Sequence, residues 1–299
     1  MAKENIWWLL VLMLLACSDK PGQLAQNPSP MQEHIRPHER VDGTTCEGKR
    51  FSIDGVFDVP IEMFIPAHWA EKDTTDLIIH FHGSSSVTEW AGCQGDKQYA
   101  VATVNLGSGS GAYERPLLDP EVAVRLLHKT RGILLEAHGI RTRRILVSGF
   151  SAGYGAVRAL LGNPKTFGMI DGVLLLDGLH TDYIPDKQLL SNGGRVNGEK
   201  LGPFLQLARM AVNGGKGFVF THSSIFPGTY ASTTECADYL INELSLKRNP
   251  VLRQGPNGMQ QVGETTQGRL HILAFAGNTA PDHIDHLHGL SAFIGLLGP

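Results

Sequence analysis

The sequence predicts an α/β fold with a mostly parallel central sheet and helices on both faces. Three observations predict it. Short, continuously apolar runs such as Leu77-Ile78-Ile79 and Gly172-Val173-Leu174-Leu175-Leu176 have strand length, and strands buried on both sides need such runs rather than alternation. Amphipathic stretches of helix length lie between them, the clearest at Glu121–Gly139. At Arg144–Gly153 an apolar strand turns sharply through glycines into a helix-like segment, Tyr154–Leu161. Strands alternating with helices give parallel sheets, and sites in such sheets lie beyond the carboxyl ends of the strands.

The N-terminus reads as a targeting segment outside the fold. Lys3 precedes an apolar run, Ile6–Ala16, too short to cross a bilayer and suited to a signal-peptide core. Leu14-Leu15-Ala16-Cys17 resembles the lipobox of bacterial lipoproteins. That resemblance makes residues 1–16 a signal peptide and Cys17 the lipidated first residue of the mature chain. It implies an exported protein held to a bacterial membrane, and Ser18 rather than Asp after the cysteine favours the outer membrane. Residues 17–43 carry Pro21, Pro28, Pro30 and Pro37 among polar residues and read as a flexible tether. The folded domain is expected over 44–299.

Within it, Phe51–Val59 and Ile61–Ile65 alternate and read as an antiparallel entry pair. Asp76–Gly83 is a buried strand leading into the small-residue loop Gly83-Ser84-Ser85-Ser86. Tyr99–Leu106 is the next strand, followed by a glycine- and serine-rich loop, Gly107–Tyr113. Gly139 suits the C-terminus of the Glu121 helix. After the Arg144–Ser148 strand come Gly172–Asp177, a helix at Leu201–Val212 and a strand at Gly217–His222. Ser232-Thr233-Thr234-Glu235 has capping-box form and opens a helix to about Leu246. Leu270–Phe275 is the last strand and Ile284–Leu297 the last helix.

Composition narrows the function. A net charge of −3 with no basic block argues against a nucleic-acid partner. Cys46, Cys93 and Cys236 remain after Cys17; an exported compartment permits one disulfide, with Cys46 paired to either of the others. Asp282, His283, Asp285 and His286 could chelate a cation, but none of the late histidines has the i,i+4 spacing a helical metal pair prefers, so no metal is expected. No cofactor is expected either.

The chemistry-bearing residues sit at strand ends. Gly149-Phe150-Ser151-Ala152-Gly153 is Gly-x-Ser-x-Gly in strand–turn–helix context, which lifts a serine out of the sheet. The glycines let strand and helix pass closely. Ala152, at the start of the helix, offers an amide for an oxyanion, and Gly83 or Ser84 after His82 offers a second. His80 and His82 read as structural. A serine needs a base, and Asp282-His283-Ile284-Asp285-His286-Leu287-His288 supplies three histidines. His283, at the expected loop-to-helix junction, is the first choice and His286 the second. The base needs a carboxylate: Asp177, ending its strand, is preferred, with Asp182 close behind.

With these residues in hand the chain resembles the α/β-hydrolase-fold serine hydrolases over most of residues 50–299. His82-Gly83, Gly149–Gly153 and the late histidine match, in the order Ser, Asp, His. The family's usual acid follows the penultimate strand, where this sequence has none, and an acid one strand earlier is a known variation. The resemblance implies an esterase acting through an acyl-enzyme on a small or polymeric ester. A glycine-rich rim with Trp90 and residues 221–230 would line the pocket and could admit an acylated polysaccharide. The alternatives are a non-catalytic glycan- or partner-binding lipoprotein on the same scaffold, and a serine peptidase or amidase.

Overall fold

A computed structural model describes residues 46–67, 73–94 and 99–298. The signal peptide expected at 1–16, Cys17 and the whole tether expected at 17–43 lie outside the described residues.

Among the described residues, ten strands form one sheet. They are β1 (Gly48–Ile53), β2 (Ile61–Pro66), β3 (Thr74–Phe81), β4 (Tyr99–Val104), β5 (Arg141–Phe150), β6 (Gly172–Leu176), β9 (Gly217–His222), β10 (Asn249–Gln254), β11 (Gln260–Gln267) and β12 (Leu270–Phe275). Two short strands, β7 (Tyr183–Ile184) and β8 (Arg195–Val196), make a separate hairpin. The order across the large sheet is β1-β2-β4-β3-β5-β6-β9-β12-β11-β10. From β4 to β12 every neighbour pair is parallel. Antiparallel strands flank this block on both sides. The mostly parallel sheet, with the sharp Gly149–Gly153 turn after the central β5, is the α/β-hydrolase fold.

Side chains alternate across the sheet, as a two-residue period requires. Leu77, Ile79 and Phe81 of β3 join one core, while Ile78 joins the other; Val173 and Leu175 of β6 face the first, Leu174 and Leu176 the second. The first core is closed by α2 (Ser110–Leu117), α3 (Pro120–His138), α4 (Tyr154–Gly162), α6 (Gly202–Val212) and α7 (Thr233–Glu243). A short helix, α5 (Pro164–Met169), follows α4. The second core is closed by α1 (Ser85–Cys93), α8 (Ala280–His288) and α9 (Leu290–Ile294).

At the amino ends of β3 and β5, Asp76 is buried and takes bonds from Arg143 (2.8 Å to each oxygen) and Arg144. Burial pushes its pKa up, and the two guanidinium groups more than offset this, so the carboxyl is held below its ordinary value. The Cys46–Cys93 disulfide ties the approach to β1 to the end of α1. Cys236 is a buried free thiol of α7, its pKa raised by desolvation.

Several local expectations need correction. The Ser85–Ser86 loop is the first turn of α1, and Ser110–Tyr113 belongs to α2 rather than to a loop. The first strand stops at Ile53. The last helix starts four residues earlier than expected, at Ala280, and is interrupted at Gly289. The β10–β11 extension is not among the expected elements; β10 is almost wholly exposed, and the alternately buried positions of β11 are Gln261, Gly263 and Thr265 rather than apolar residues.

Candidate active site

Ser151 stands at the carboxyl end of β5, at φ +46°. A side-chain-bearing residue in the left-handed region stores strain, held here by its surroundings. Residues Ser151–Gly153 form one 3-10 turn that runs straight into α4. The turn works only because Gly153 has no side chain: a Cβ there would be driven into the Phe81 carbonyl. Ala152 is half-buried at the start of this turn, where backbone amides have no partner within the helix.

Asp177 follows β6 directly, with φ +42° and 2 % exposure. Gly178 brings it to the serine. A Cβ on Gly178 would lie 2.7 Å from the Ser151 nitrogen and closer still to its carbonyl oxygen, so the two turns are in backbone contact. The carboxylate accepts four hydrogen bonds. Oδ1 takes the Ser223 amide (2.9 Å) and the Thr233 hydroxyl (2.9 Å); Oδ2 takes the Ser223 hydroxyl (2.7 Å) and His283 Nδ1 (2.7 Å). Burial raises its pKa, but the nearby His286 and His283, the His283 hydrogen bond and the Ser223 amide hold the carboxyl far below the usual carboxylate range.

His283 arrives on α8. Thr279 caps that helix, and the Asp282 carboxylate closes a capping box by accepting the Asn278 amide (3.0 Å) and the Thr279 amide (2.9 Å) and hydroxyl (2.7 Å). This fixes the first turn and sets His283 as its fourth residue. With Nδ1 donating to Asp177, Nε2 carries the lone pair. The side chain is 25 % exposed while its aspartate is 2 % exposed. The imidazole therefore has one dry end and one open end, as a proton-transferring histidine requires. Phe150, beside the serine, packs on the ring with centroids 4.6 Å apart.

The second-choice residues have other partners: His286 lies near Asp177, but the 2.7 Å bond to that carboxylate comes from His283. His286 is buried; its Nδ1 is hydrogen-bonded to Thr221 Oγ1 at 2.8 Å and its ring meets the Phe275 edge. Asp182 is half-exposed and forms an ion pair with Lys200. Of the expected oxyanion donors, the Gly83 amide donates to Asn105 Oδ1 (3.0 Å), and Asn105 Nδ2 returns a bond to the Gly83 carbonyl (2.9 Å). That reciprocal pair engages the Gly83 amide in this conformation. Ser84 stands beside it at the N-cap position of α1, exposed, with its hydroxyl bonded to that of Ser86 rather than to the helix.

His80 is fully buried, with its pKa lowered to about 4 by desolvation. Nε2 donates to the His82 carbonyl (3.0 Å) and Nδ1 accepts from Ser148 (3.1 Å), so it is a neutral strut. His82 shares a hydrogen bond with Tyr113 at 2.8 Å. Its pKa is lowered by burial and by His283.

A cavity of about 610 Å³ opens beside Ser151 and Ala152. Ser108–Gly111 and Tyr230 line it as expected of their segments; Trp90 lies on α1 and does not. A second cavity, about 770 Å³ between the β7–β8 hairpin and α7, contains none of these groups. Among the described residues no cluster of three or more His, Cys, Asp or Glu is arranged to hold a metal.

Ser223, Thr233 and Asn105 were not singled out from the sequence. Ser223 directly follows β9, and its place one residue past a parallel strand was the available signal.

No family model matches this chain, and no curated protein does. Among solved structures, the chain is similar in shape to an esterase of the fungus Rhizomucor miehei, at 13 % identity and a TM-score of 0.46 over 86 % of this chain and 85 % of the other. It is similar to an acylaminoacyl peptidase of Pyrococcus horikoshii at 14 % identity and a TM-score of 0.44, covering 83 % of this chain and 40 % of that one. Likeness at this level leaves the chemistry to be read from the residues themselves.

Proposed function

We propose that the protein is a serine hydrolase that cleaves carboxylic esters through an acyl-enzyme. The observation that carries this reading is the 2.7 Å bond from His283 Nδ1 to the buried Asp177, beside a strained Ser151 whose backbone touches Gly178. Ser151 Oγ attacks the acyl carbon while His283 Nε2 removes its proton. Asp177 holds the tautomer that leaves Nε2 basic and stabilises the imidazolium that forms. The Ala152 amide, joined by that of Ser84, receives the oxyanion; each such donor is worth about 2.7–4 kcal/mol of barrier. His283 then protonates the leaving oxygen, and the same ring activates water to release the acid. None of these steps calls on a cofactor.

The choice of ester over amide rests on fold-level analogy, so the test compares both. Wild type is expected to turn over 4-nitrophenyl acetate with a burst of nitrophenolate equal to the enzyme present, and 4-nitroacetanilide far more slowly. Ser151→Ala should abolish both. An undiminished rate in Ser151→Ala would end this assignment, and faster anilide cleavage would make the protein an amidase.

We also propose that acyl chains on Cys17 hold the enzyme to the exported face of a bacterial membrane. More than one buried chain gives stable attachment. Mass spectrometry of the mature N-terminus tests this: an unmodified Cys17, or cleavage elsewhere, would contradict it.

A further inference from the structure

The cavity beside Ser151 has a composition that bears on the substrate, given the serine-hydrolase reading above. Ala152 is the one aliphatic side chain among the described residues that line it. An alkyl chain gains about 0.8 kcal/mol per buried methylene only against an apolar wall. Here the wall interleaves hydroxyls and charges with the aromatic faces of Tyr154 and Tyr230, so a long chain would also cover polar groups that resist losing water without a hydrogen-bonding partner.

The charges in the wall are already paired. Arg158 donates to Glu114 through two bonds, 2.7 and 2.6 Å, and its guanidinium sits 5.3 Å over the Tyr154 ring. Lys200 pairs with Asp182 at the rim. An anionic substrate meets no uncompensated cation there, and a cationic one meets no uncompensated carboxylate. Paired charges still have donors and lone pairs to spare, which neutral hydroxyl groups can use in both directions.

The last component is a flat apolar face. Tyr230 is 41 % exposed on the cavity wall. His180 packs against it edge-on, with centroids 5.0 Å apart, and is itself held by its Nδ1 donating to the Ala231 carbonyl at 2.9 Å. A fixed tyrosine ring beside paired charges suits the C–H face of a sugar, with its hydroxyls turned to Glu114, Arg158, Asp182 and Lys200.

We propose that this cavity holds a neutral carbohydrate, that the substrate is a sugar O-acylated with a short group such as acetyl, and that Tyr230 is its platform. In the reaction the Ser151 oxygen bonds the acyl carbon and the sugar C–O–acyl linkage breaks at the acyl side. The sugar oxygen leaves with the proton carried by His283, and water then releases the carboxylic acid and returns the proton to Ser151. No oxidant or further reactant is needed.

The test uses the full chain and matched acetates: monoacetylated methyl glycosides of glucose, galactose and xylose against ethyl acetate, and 4-nitrophenyl acetate against 4-nitrophenyl octanoate. At least one glycoside acetate should exceed ethyl acetate by tenfold or more in kcat/KM, and the octanoate should fall below the acetate. Tyr230→Ala should raise KM for the preferred glycoside about tenfold, and at least fivefold more than it raises KM for ethyl acetate; Tyr230→Phe, which keeps the ring, should retain the preference. Faster cleavage of the octanoate, no glycoside preference, or an equal effect of Tyr230→Ala on both acetates would overturn the proposal. If no ester at all is cleaved and no burst appears, the hydrolase reading fails, and this inference with it.

Discussion

Replacing Asp177 by Asn should cost far more than its single atom suggests, because the bonding around the carboxylate dictates how the amide must sit. Oδ1 faces the Ser223 backbone amide, which can only donate, so the Asn oxygen takes that position. The Asn nitrogen then replaces Oδ2 and points its hydrogens at Ser223 Oγ and His283 Nδ1. The hydroxyl can rotate to accept. The imidazole can accept only by moving its proton from Nδ1 to Nε2, which removes the lone pair that would deprotonate Ser151. The equivalent substitution in serine proteases lowers turnover about 10⁴-fold, equal to about 5.4 kcal/mol of barrier at 1.36 kcal/mol per decade. The assay is kcat on 4-nitrophenyl acetate, with circular dichroism to establish that the variant folds. Asp186→Asn is the control; its exposed pair with Lys187 should leave kcat within about twofold, as surface ion pairs contribute little. A folded Asp177→Asn enzyme within tenfold of wild type would refute the assignment of Asp177 and the tautomer reasoning with it.

Three further outcomes follow from the structure. His80 and His222 are both buried and neutral, with pKa values near 4; desolvation is the main cause for each, and Arg248 beside His222 adds to it. The unfolded chain therefore takes up protons below pH 6.5 that the fold refuses. The part of the stability that these histidines govern should fall as pH drops from about 6.5 toward 4, by at most about 3 kcal/mol per histidine, and Asp76 and Asp177, held below their ordinary values, continue the loss at lower pH; urea midpoints between about pH 6.5 and 4.5 check the histidine part, and His80→Gln should flatten the slope there. Gly178→Ala should impair folding or activity severely, because its methyl group would strike the Ser151 backbone; a variant with wild-type melting and turnover would contradict the close approach of the two turns. Breaking the Cys46–Cys93 bridge, which spans 47 residues, should cost roughly 4 kcal/mol by loop entropy; melting of Cys93→Ser beside wild type reads it.

What could be read from the sequence was local. Ser151 could be picked out as a candidate because strand, glycines and helix are contiguous, and Asp177 because it ends an apolar strand. The choice between His283 and His286 turned on where α8 begins. That start is set by the Thr279–Asp282 capping box, which shifts the helix four residues toward the N-terminus and brings His283 to Asp177. The support around the carboxylate was not legible, since Ser223 and Thr233 reach it from β9 and α7, distant in sequence and ordinary in composition. The same holds for Gly83, whose amide is engaged by Asn105 from the end of the neighbouring β4. The β10–β11 strands escaped notice because they add to the sheet edge by backbone pairing, with little apolar surface to give a period. Fold class, by contrast, depends on a repeated pattern of buried runs, which one or two misread segments do not erase.

Labelling with a fluorophosphonate probe, read by intact mass and peptide mapping, tests the central claim most directly. The account predicts one adduct per chain, on Ser151, strongly slowed in His283→Ala and retained in a folded His286→Ala. Labelling lost in His286→Ala and kept in His283→Ala would move the base to His286. A folded wild-type protein that takes no label would contradict the serine-hydrolase account altogether.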